Sequence, residues 1–220
     1  ALPILLSVMN GFDREMKERI LNVVPHGFID QQPAVNEWPI LAEKVNAQPG
    51  VIASAPYIQS SALVTYAGGV EAIELQGVDP QAESKVSVVN DHMIVGSMEQ
   101  LRPGEYGIVM GRILASRLLL VPGDKIRVTS PEVNITPMGV FTRSRNFTLV
   151  GVFEVGAQVD NTLALIHLND AQKFLRKPGV QGLHVKTQDL YSASSIMNQI
   201  RVNLGDEFRV RDWSQTQGSL

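Results

Sequence analysis

Apolar residues in the first part of the chain recur every three or four positions from Leu5 to Val23, which is the spacing of one helix face. Oppositely charged residues four positions apart, such as Asp13 and Lys17, fall on the other face. The pattern predicts an amphipathic helix that ends at Pro25.

Strand and helix patterns alternate after this helix. Runs of β-branched and aromatic residues predict strands over residues 28–31, 51–66, 70–78, 106–110, 125–129, 147–153, 163–166, 183–186 and 208–210. Helical spacing predicts helices over residues 36–47, 111–120, 170–176 and 191–202, with Asn36 and Asn169 as the expected N-caps of two of them. Gly68 and Gly69 favour a hairpin turn between the second and third strands. The polar stretch 79–104 is predicted to be a loop with a short helix.

Strand and helix elements at both ends of the chain enclose a β-rich middle. This order predicts an α+β fold in which a split α/β, ferredoxin-like unit receives an inserted β-rich subdomain. The expected boundaries assign residues 1–85 and 154–220 to the split unit and residues 86–153 to the insertion.

The mostly apolar start, Ala1 to Leu6, runs directly into the amphipathic pattern and lacks the features of a secretory signal peptide. We interpret it as the end of a membrane-spanning helix, whose complete apolar stretch would be about 20 residues. We also expect a second span after Leu220, which would make the chain extracytoplasmic. A buried N-terminal helix is the alternative interpretation.

The composition and net charge of the chain exclude some kinds of partner and site. Hydrophobic residues make up 44% of the 220 residues and charged residues 19%, as in an ordinary folded protein. With 19 Lys and Arg against 22 Asp and Glu, the net charge is -3 and no basic run is present, so nucleic acid is not an expected ligand. The absence of cysteine excludes disulfides, zinc ribbons and thiol nucleophiles.

Sequence motifs for catalysis or cofactor binding are missing. There is no P-loop, no G-x-G-x-x-G after a strand, no H-E-x-x-H and no G-x-S-x-G elbow. The four histidines lack metal-ligand spacing, and only His167 and His184 fall on predicted strands that could neighbour each other. We therefore expect a binding module without cofactor, metal or catalytic residues. A hydrolase whose site is assembled from distant residues is the alternative.

Residues 131–146, PEVNITPMGVFTRSRN, form an unusually long connection between two predicted strands. We call them the hook segment, because connections longer than about 12 to 15 residues without structure of their own tend to be functional or disordered. The segment is rich in apolar residues for a solvated loop. One interpretation is that it folds back on its own core or is an ordinary extended hairpin. The other is that it projects, and that its Pro137-Met138-Gly139 tip enters a groove of another protein.

Three cations, Arg127, Arg143 and Arg145, flank the hook segment. Clustered cations can steer an acidic partner toward a surface. The simpler interpretation is that they solvate the ends of strands.

Several short motifs are spread over the chain. They begin with Leu6-Ser7-Val8-Met9-Asn10-Gly11-Phe12 and residues 20–26, and continue through Pro49-Gly50-Val51, Ala55-Pro56-Tyr57, Gly77-Val78-Asp79-Pro80, Gly123-Asp124 and Arg211-Asp212-Trp213. Together they resemble the LolC/LolE family, the permease subunits of the bacterial lipoprotein-releasing ABC transporter. The resemblance covers nearly the whole chain.

The resemblance implies a periplasmic domain between the first two membrane helices of such a subunit. It implies a two-part Porter unit, an inserted Sabre unit, and a hook loop that recruits the periplasmic chaperone LolA. The implied hook contacts are Val133, Ile135, Thr136, Pro137, Met138, Gly139, Val140 and Phe141. Arg127 and Arg145 match basic positions of a pad beside the hook, Ser144 stands where the pad has a longer polar residue, and Arg143 completes the set, which we call the basic pad.

The resemblance also implies partners. These are a LolD-type ATPase, a lipoprotein substrate, and either a second permease subunit or a second copy of the same chain. Val51 to Tyr57 and Gly77 to Pro80 look more like LolE, whereas the hook segment looks like LolC. A hybrid subunit of the LolF kind, working as a homodimer, would show this mixture. A permease of the MacB type that docks an efflux adaptor is the alternative within the same class.

Overall fold

The computed structural model describes residues 25–136, 139–156 and 158–216, with the backbone alone for residues 133–136, 139–141, 215 and 216. The predicted N-terminal amphipathic helix and the Pro137-Met138 tip of the hook segment lie outside the described residues.

Ten strands and seven α-helices make up the described chain. The strands are β1 (Gly27–Val35), β2 (Val51–Tyr66), β3 (Gly69–Val78), β4 (Met93–Val95), β5 (Gly107–Gly111), β6 (Lys125–Thr136), β7 (Gly139–Phe153), β8 (Leu163–His167), β9 (Val180–Thr187) and β10 (Arg209–Asp212). The helices are α1 (Trp38–Asn46), α2 (Pro80–Glu83), α3 (Arg112–Arg117), α4 (Val159–Thr162), α5 (Leu168–Leu175), α6 (Ala193–Leu204) and α7 (Trp213–Thr216). Two 3₁₀ turns, Val89–His92 and Met98–Gln100, lie in the predicted polar loop.

Four strands form a sheet in the order β10-β1-β9-β2, and every neighbouring pair is antiparallel. With α1 between β1 and β2 and α6 between β9 and β10, this is the strand order of a split β-α-β unit. Both helices bury apolar side chains, such as Val45 and Ile200, in the cluster that also contains Ile29 of the sheet. Gly27 permits the close approach of α6, because a Cβ there would stand 2.3 Å from the sulfur of Met197. The predicted α+β class is confirmed.

Strand β2 continues beyond this sheet and joins a second set of strands. Residues Val51 to Tyr57 pair with β9, residues Tyr57 to Tyr66 pair with β3, and residues Leu63 to Thr65 also pair with β6. The pairings β2-β3-β8-β5-β7-β6 then return to β2 and form a closed ring of strands. Closed rings remove exposed sheet edges and fill their interior with side chains.

One buried cluster connects the ring to the split unit. Val64, Ile126, Phe147 and Ile166 of the ring strands belong to the same cluster as Ile29. The predicted boundaries place β3 and β8 with the split unit, although both strands pair within the ring. Those boundaries stay a prediction.

The face of the four-stranded sheet opposite α1 and α6 carries an aromatic and charged cluster. The ring of Tyr57 stacks on His184 with centroids 4.0 Å apart, and the ring of Phe28 meets His184 edge-on. The Tyr57 hydroxyl donates to Asp30, and burial, followed by the negative charge of Asp30, raises the pKa of Tyr57. Glu83 of α2 covers the cluster, with Oε2 3.8 Å from Nδ1 of His184.

Two predicted helix N-caps, Asn36 and Asn169, are wrong. The first residue of α1 follows Glu37 rather than Asn36, and Glu37 makes no side-chain cap. Helix α5 is capped by His167, whose Nδ1 accepts a hydrogen bond from the backbone N–H of Asn169. His167 and His184 do not meet, because β2 and β3 lie between their strands. Sequence spacing gives no information about which strands become neighbours.

His26 lies where the two ends of the described chain meet. Its carbonyl accepts from the N–H of Trp213 at 3.1 Å, and its Nδ1 accepts from the N–H of Thr187 at 3.1 Å. Because Nδ1 is an acceptor, the neutral ring fits this site. Burial, with the nearby charge of Lys186 as the second cause, lowers the pKa of His26 below its ordinary value of 6.5.

We predict that acidification destabilises the domain partly through His26. The unfolded chain takes up a proton on this histidine below about pH 6.5, whereas the folded chain holds the ring neutral until a lower pH. This contribution to the free energy of unfolding is therefore lost as the pH falls through that interval. Urea unfolding at about pH 8 and about pH 5 should show a smaller pH effect in His26→Gln than in wild type. The surface variant His92→Gln is the control, and an unchanged pH effect in His26→Gln would show the account to be wrong.

Candidate functional site

The hook segment is the end of a long antiparallel hairpin. Strands β6 and β7 pair from Lys125↔Thr148 out to Thr136↔Gly139. The expectation of a long loop without structure of its own is therefore wrong, and the alternative of an extended hairpin describes the backbone. The register shift between Ser130 and Val133 marks a bulge. A bulge accommodates Pro131, which lacks the N–H that a regular ladder needs.

The base of the hook segment is fixed against the C-terminal end of α5. Arg143 donates from Nη1 to the carbonyl of Phe174 at 3.3 Å, and the same atom lies 4.0 Å from a carboxylate oxygen of Glu132. Lys177 lies 3.3 Å from the other oxygen of Glu132. The last turn of a helix presents carbonyls without helical partners, so a guanidinium is well suited there. The side chain of Arg143 is 16% exposed, which assigns it a bracing role.

The four residues of the basic pad are divided between the two faces of the hairpin. Residues directly opposite each other share a face, so Thr129 and Ser144 lie together, and their hydroxyls are 2.7 Å apart. Arg127, two residues from Thr129, lies on that same face and is exposed. Arg143 and Arg145 alternate with Ser144 and lie on the opposite face, toward α5. The predicted pad is therefore not one flat surface.

The face that carries Arg127 continues across the neighbouring strands. Thr65 of β2 lies opposite Arg127, and Val70 of β3 lies opposite Thr65. Leu63 and Val70 are 44% and 59% exposed, so this face presents apolar groups beside the cation. Sequence reasoning missed Leu63 and Val70, although the alternation of exposed and buried positions in a strand is a signal that could have found them once β2 was known to pair with β6.

Arg145 rests on an aromatic ring on the other face. Its guanidinium carbon is 3.4 Å from the centroid of the Tyr106 ring, within the range of a cation–π contact. Tyr106 has a left-handed backbone with φ 52. The fully buried Asp170 of α5 accepts the backbone N–H groups of Gly104 at 2.7 Å and Tyr106 at 3.0 Å.

Two grooves of the described chain lie beside β1. The larger groove, about 800 Å³, lies beside β1 and is lined by Asp30, Gln31, Lys177, Arg209 and other residues that include no Ser, Thr, Cys or His in the described chain. Among the described residues, no three side chains of His, Cys, Asp or Glu come together as a metal ion requires. None of the described helices is long and apolar enough to span a membrane.

A family profile described as the MacB-like periplasmic core domain matches residues 1–202. The chain belongs to this family. Two solved structures share the fold of this periplasmic core domain at low sequence identity. The periplasmic region of MacB from Actinobacillus actinomycetemcomitans is 12% identical, with a TM-score of 0.56 over 94% of this chain and 99% of that one. The extracellular domain of the noncanonic ABC-type transporter YknZ from Gram-positive bacteria is 12% identical, with a TM-score of 0.51 over 84% of this chain and 98% of that one.

Curated relatives of the periplasmic core domain are more similar in sequence. The lipoprotein-releasing system transmembrane protein LolC of Neisseria meningitidis serogroup B is 38% identical over 225 residues, which cover 100% of this chain and 54% of that protein. LolC of Xylella fastidiosa strain Temecula1 is 35% identical over 98% of this chain and 52% of the relative. LolE of Haemophilus influenzae is 28% identical over 87% of this chain and 47% of that protein. The resemblance to the LolC/LolE family is confirmed, and the chain spans about half the length of these relatives, which are transporter subunits.

We predict that Arg143 and Arg127 of the periplasmic core domain differ in their effect on stability. Arg143→Ala removes a donor to the carbonyl of Phe174 and one of the two cations beside Glu132, and should lower the free energy of unfolding by about 1–3 kcal/mol. Arg127→Ala, on the exposed face, should change it by no more than about 0.5 kcal/mol. Urea unfolding of both variants measures the difference. Equal effects would contradict the bracing role of Arg143.

Proposed function

We propose that this chain is the periplasmic domain of a LolC-type permease subunit in a lipoprotein-releasing ABC transporter. In this proposal the hook segment recruits the chaperone LolA, so that lipoproteins pass to it for delivery to the outer membrane. The observation that carries the proposal is the strand pairing out to Thr136↔Gly139, which extends the hairpin to the motif Thr136-Pro137-Met138-Gly139. The names and identities of the LolC relatives support the same assignment.

The geometry of the hairpin suits a docking element. Its base is fixed to α5 through Arg143 and Phe174, so the base does not have to be ordered when a partner binds. The composition of the hook segment provides several apolar side chains for a groove on the partner, and Met138 supplies an adaptable one. Arg127 is exposed and forms no ion pair with a carboxylate of the described residues, so it is available to steer an acidic protein.

The remaining parts of the proposal concern the whole transporter. The split unit corresponds to a Porter-type subdomain of residues 1–85 and 154–220, and residues 86–153 to a Sabre-type insertion. The domain lies on the periplasmic face of the inner membrane, attached through helices before and after it. A LolD-type ATPase and a second permease subunit, or a second copy of this chain, complete the assembly that releases the lipoprotein.

The MacB-type alternative rests on the shared fold. Likeness at 12% identity supports a common architecture and gives no indication of an efflux adaptor as partner. The two proposals differ in the protein that the purified domain retains. LolA is the expected partner, and selective retention of an efflux adaptor would favour the alternative.

We predict that Met138→Asp weakens binding of purified LolA about tenfold or more. The variant loses apolar burial of about 1.5–3 kcal/mol and places a carboxylate in a desolvated groove. Its melting temperature should remain close to that of wild type, since a projecting tip adds little to the core. Calorimetric titration and thermal melts of the same samples provide both measurements.

The matched control is Leu119→Asp. Leu119 is 84% exposed on the loop before β6 and receives the same change from an apolar side chain to an acid. It should bind LolA as wild type does. The hook hypothesis is wrong if Met138→Asp keeps its affinity, if it loses affinity only by unfolding, or if both variants lose affinity equally.

We predict that Gly50 and Gly179 face the periplasm in the full-length protein. Gly50 follows α1 and Gly179 precedes β9, so both report the location of the split unit. Alkaline phosphatase fused at either position should be active, because this enzyme folds only where disulfides form. Inactive fusions at levels equal to an active periplasmic control would contradict the localisation.

A further inference from the structure

Arg145 packs on the ring of Tyr106, a contact that no motif in the sequence indicated. The chain of ring contacts runs from Tyr106 to Phe147, with centroids 5.6 Å apart, and from Phe147 to Phe174 of α5, with centroids 5.5 Å apart. Both pairs are edge-on, with interplanar angles of 77° and 80°. Phe147 is 1% exposed and Phe174 is 3% exposed, so the Tyr106 ring is backed by the core.

The backbone at Tyr106 is held in place by a buried charge. A left-handed conformation is unfavourable for a large side chain and persists where the surroundings enforce it. Asp170 provides this constraint, because its two oxygens accept the N–H groups on either side of Glu105, those of Gly104 and Tyr106. Asp170 is completely buried and therefore depends on these donors.

Stacking of this kind fixes a guanidinium and leaves its donors available. The face of the Arg145 guanidinium lies over the Tyr106 ring, whereas N–H groups point outward in the plane of the guanidinium. Arg145 is exposed and forms no ion pair with a carboxylate of the described residues. A fixed, planar set of donors is suited to a carboxylate group of another protein.

We propose that Tyr106, held by Asp170, is a positioning residue that orients Arg145 toward a carboxylate of the partner that docks at the hook segment. The proposal rests on the proposed function, in which that partner is LolA. It assigns a role to two residues outside the hook segment and the basic pad. Without the ring, Arg145 loses its preferred orientation and must be ordered anew when the partner binds.

The test compares Tyr106→Leu with Tyr106→Phe. Leucine removes the ring face but keeps an apolar side chain at the same left-handed position, whereas phenylalanine keeps the ring and removes only the hydroxyl. Tyr106→Leu should weaken LolA binding about three- to tenfold, and Tyr106→Phe should bind within about twofold of wild type. Arg145→Ala should weaken binding at least as much as Tyr106→Leu.

A double-mutant cycle separates positioning from a general structural effect. If Tyr106 acts through Arg145, adding Tyr106→Leu to Arg145→Ala should weaken binding by less than about twofold further. Full additivity, or equal losses in the leucine and phenylalanine variants, would overturn the proposal. So would wild-type affinity in Tyr106→Leu.

A measurement without the partner keeps the two proposals distinguishable. Aromatic rings shift the NMR resonances of protons above their faces upfield. The δ protons of Arg145 should therefore resonate upfield in wild type and in Tyr106→Phe. In Tyr106→Leu they should resonate at the ordinary chemical shift of an arginine. If this pattern appears but Met138→Asp and Arg145→Ala both bind LolA normally, the proposed function fails, and the docking role of Tyr106 fails with it. If only Met138→Asp weakens binding, the proposed function stands and the inference about Tyr106 is overturned.

Discussion

Strand β2 is the element on which the architecture depends, because it pairs with three other strands along its 16 residues. Its first part belongs to the four-stranded sheet with β9, and its last part closes the ring by pairing with β6. Tyr57 lies where β2 passes from the four-stranded sheet into the ring, since it pairs with both β9 and β3. A rotation of the ring against the split unit would have to break this strand or its hydrogen bonds, so the two parts are mechanically joined.

Helix α5 attaches the base of the hook segment to this framework. Near its start, Asp170 fixes the segment that carries Tyr106, and near its end the carbonyl of Phe174 accepts from Arg143. The eight residues of the helix thus contact β7 at Arg143 and support the ring that lies under Arg145. A β-hairpin alone is marginally stable in water, and here its base is stabilised by attachment to a helix and to a ring of strands. A docking element of this kind binds a partner with a smaller entropic cost than a mobile loop.

Much of the order of elements could be predicted from local patterns. The alternation in β2 and β3, the glycines between them and the helical spacing of α6 are local signals, and the corresponding elements formed. From the sequence alone the hook segment fitted either a connection without structure of its own or an extended hairpin, because a bulge that tolerates Pro131 depends on the partner strand β7. The site could be predicted only in part for the same reason. Arg127, Arg143 and Arg145 are close in sequence, but their division between two faces follows from the register of β6 and β7. The support of Arg145 by Tyr106 and Asp170 joins residues distant in sequence, which no local pattern reveals.

In the proposed docking, the tip of the hairpin contacts the chaperone. Site-specific photo-crosslinking in cells tests it most directly, with a photoreactive amino acid at position 138 and, as the control, at position 119 of the full-length protein. We expect a covalent adduct with LolA from position 138 and none from position 119. Absence of the LolA adduct at position 138 in a folded, membrane-inserted protein, or equal adducts at both positions, would contradict it.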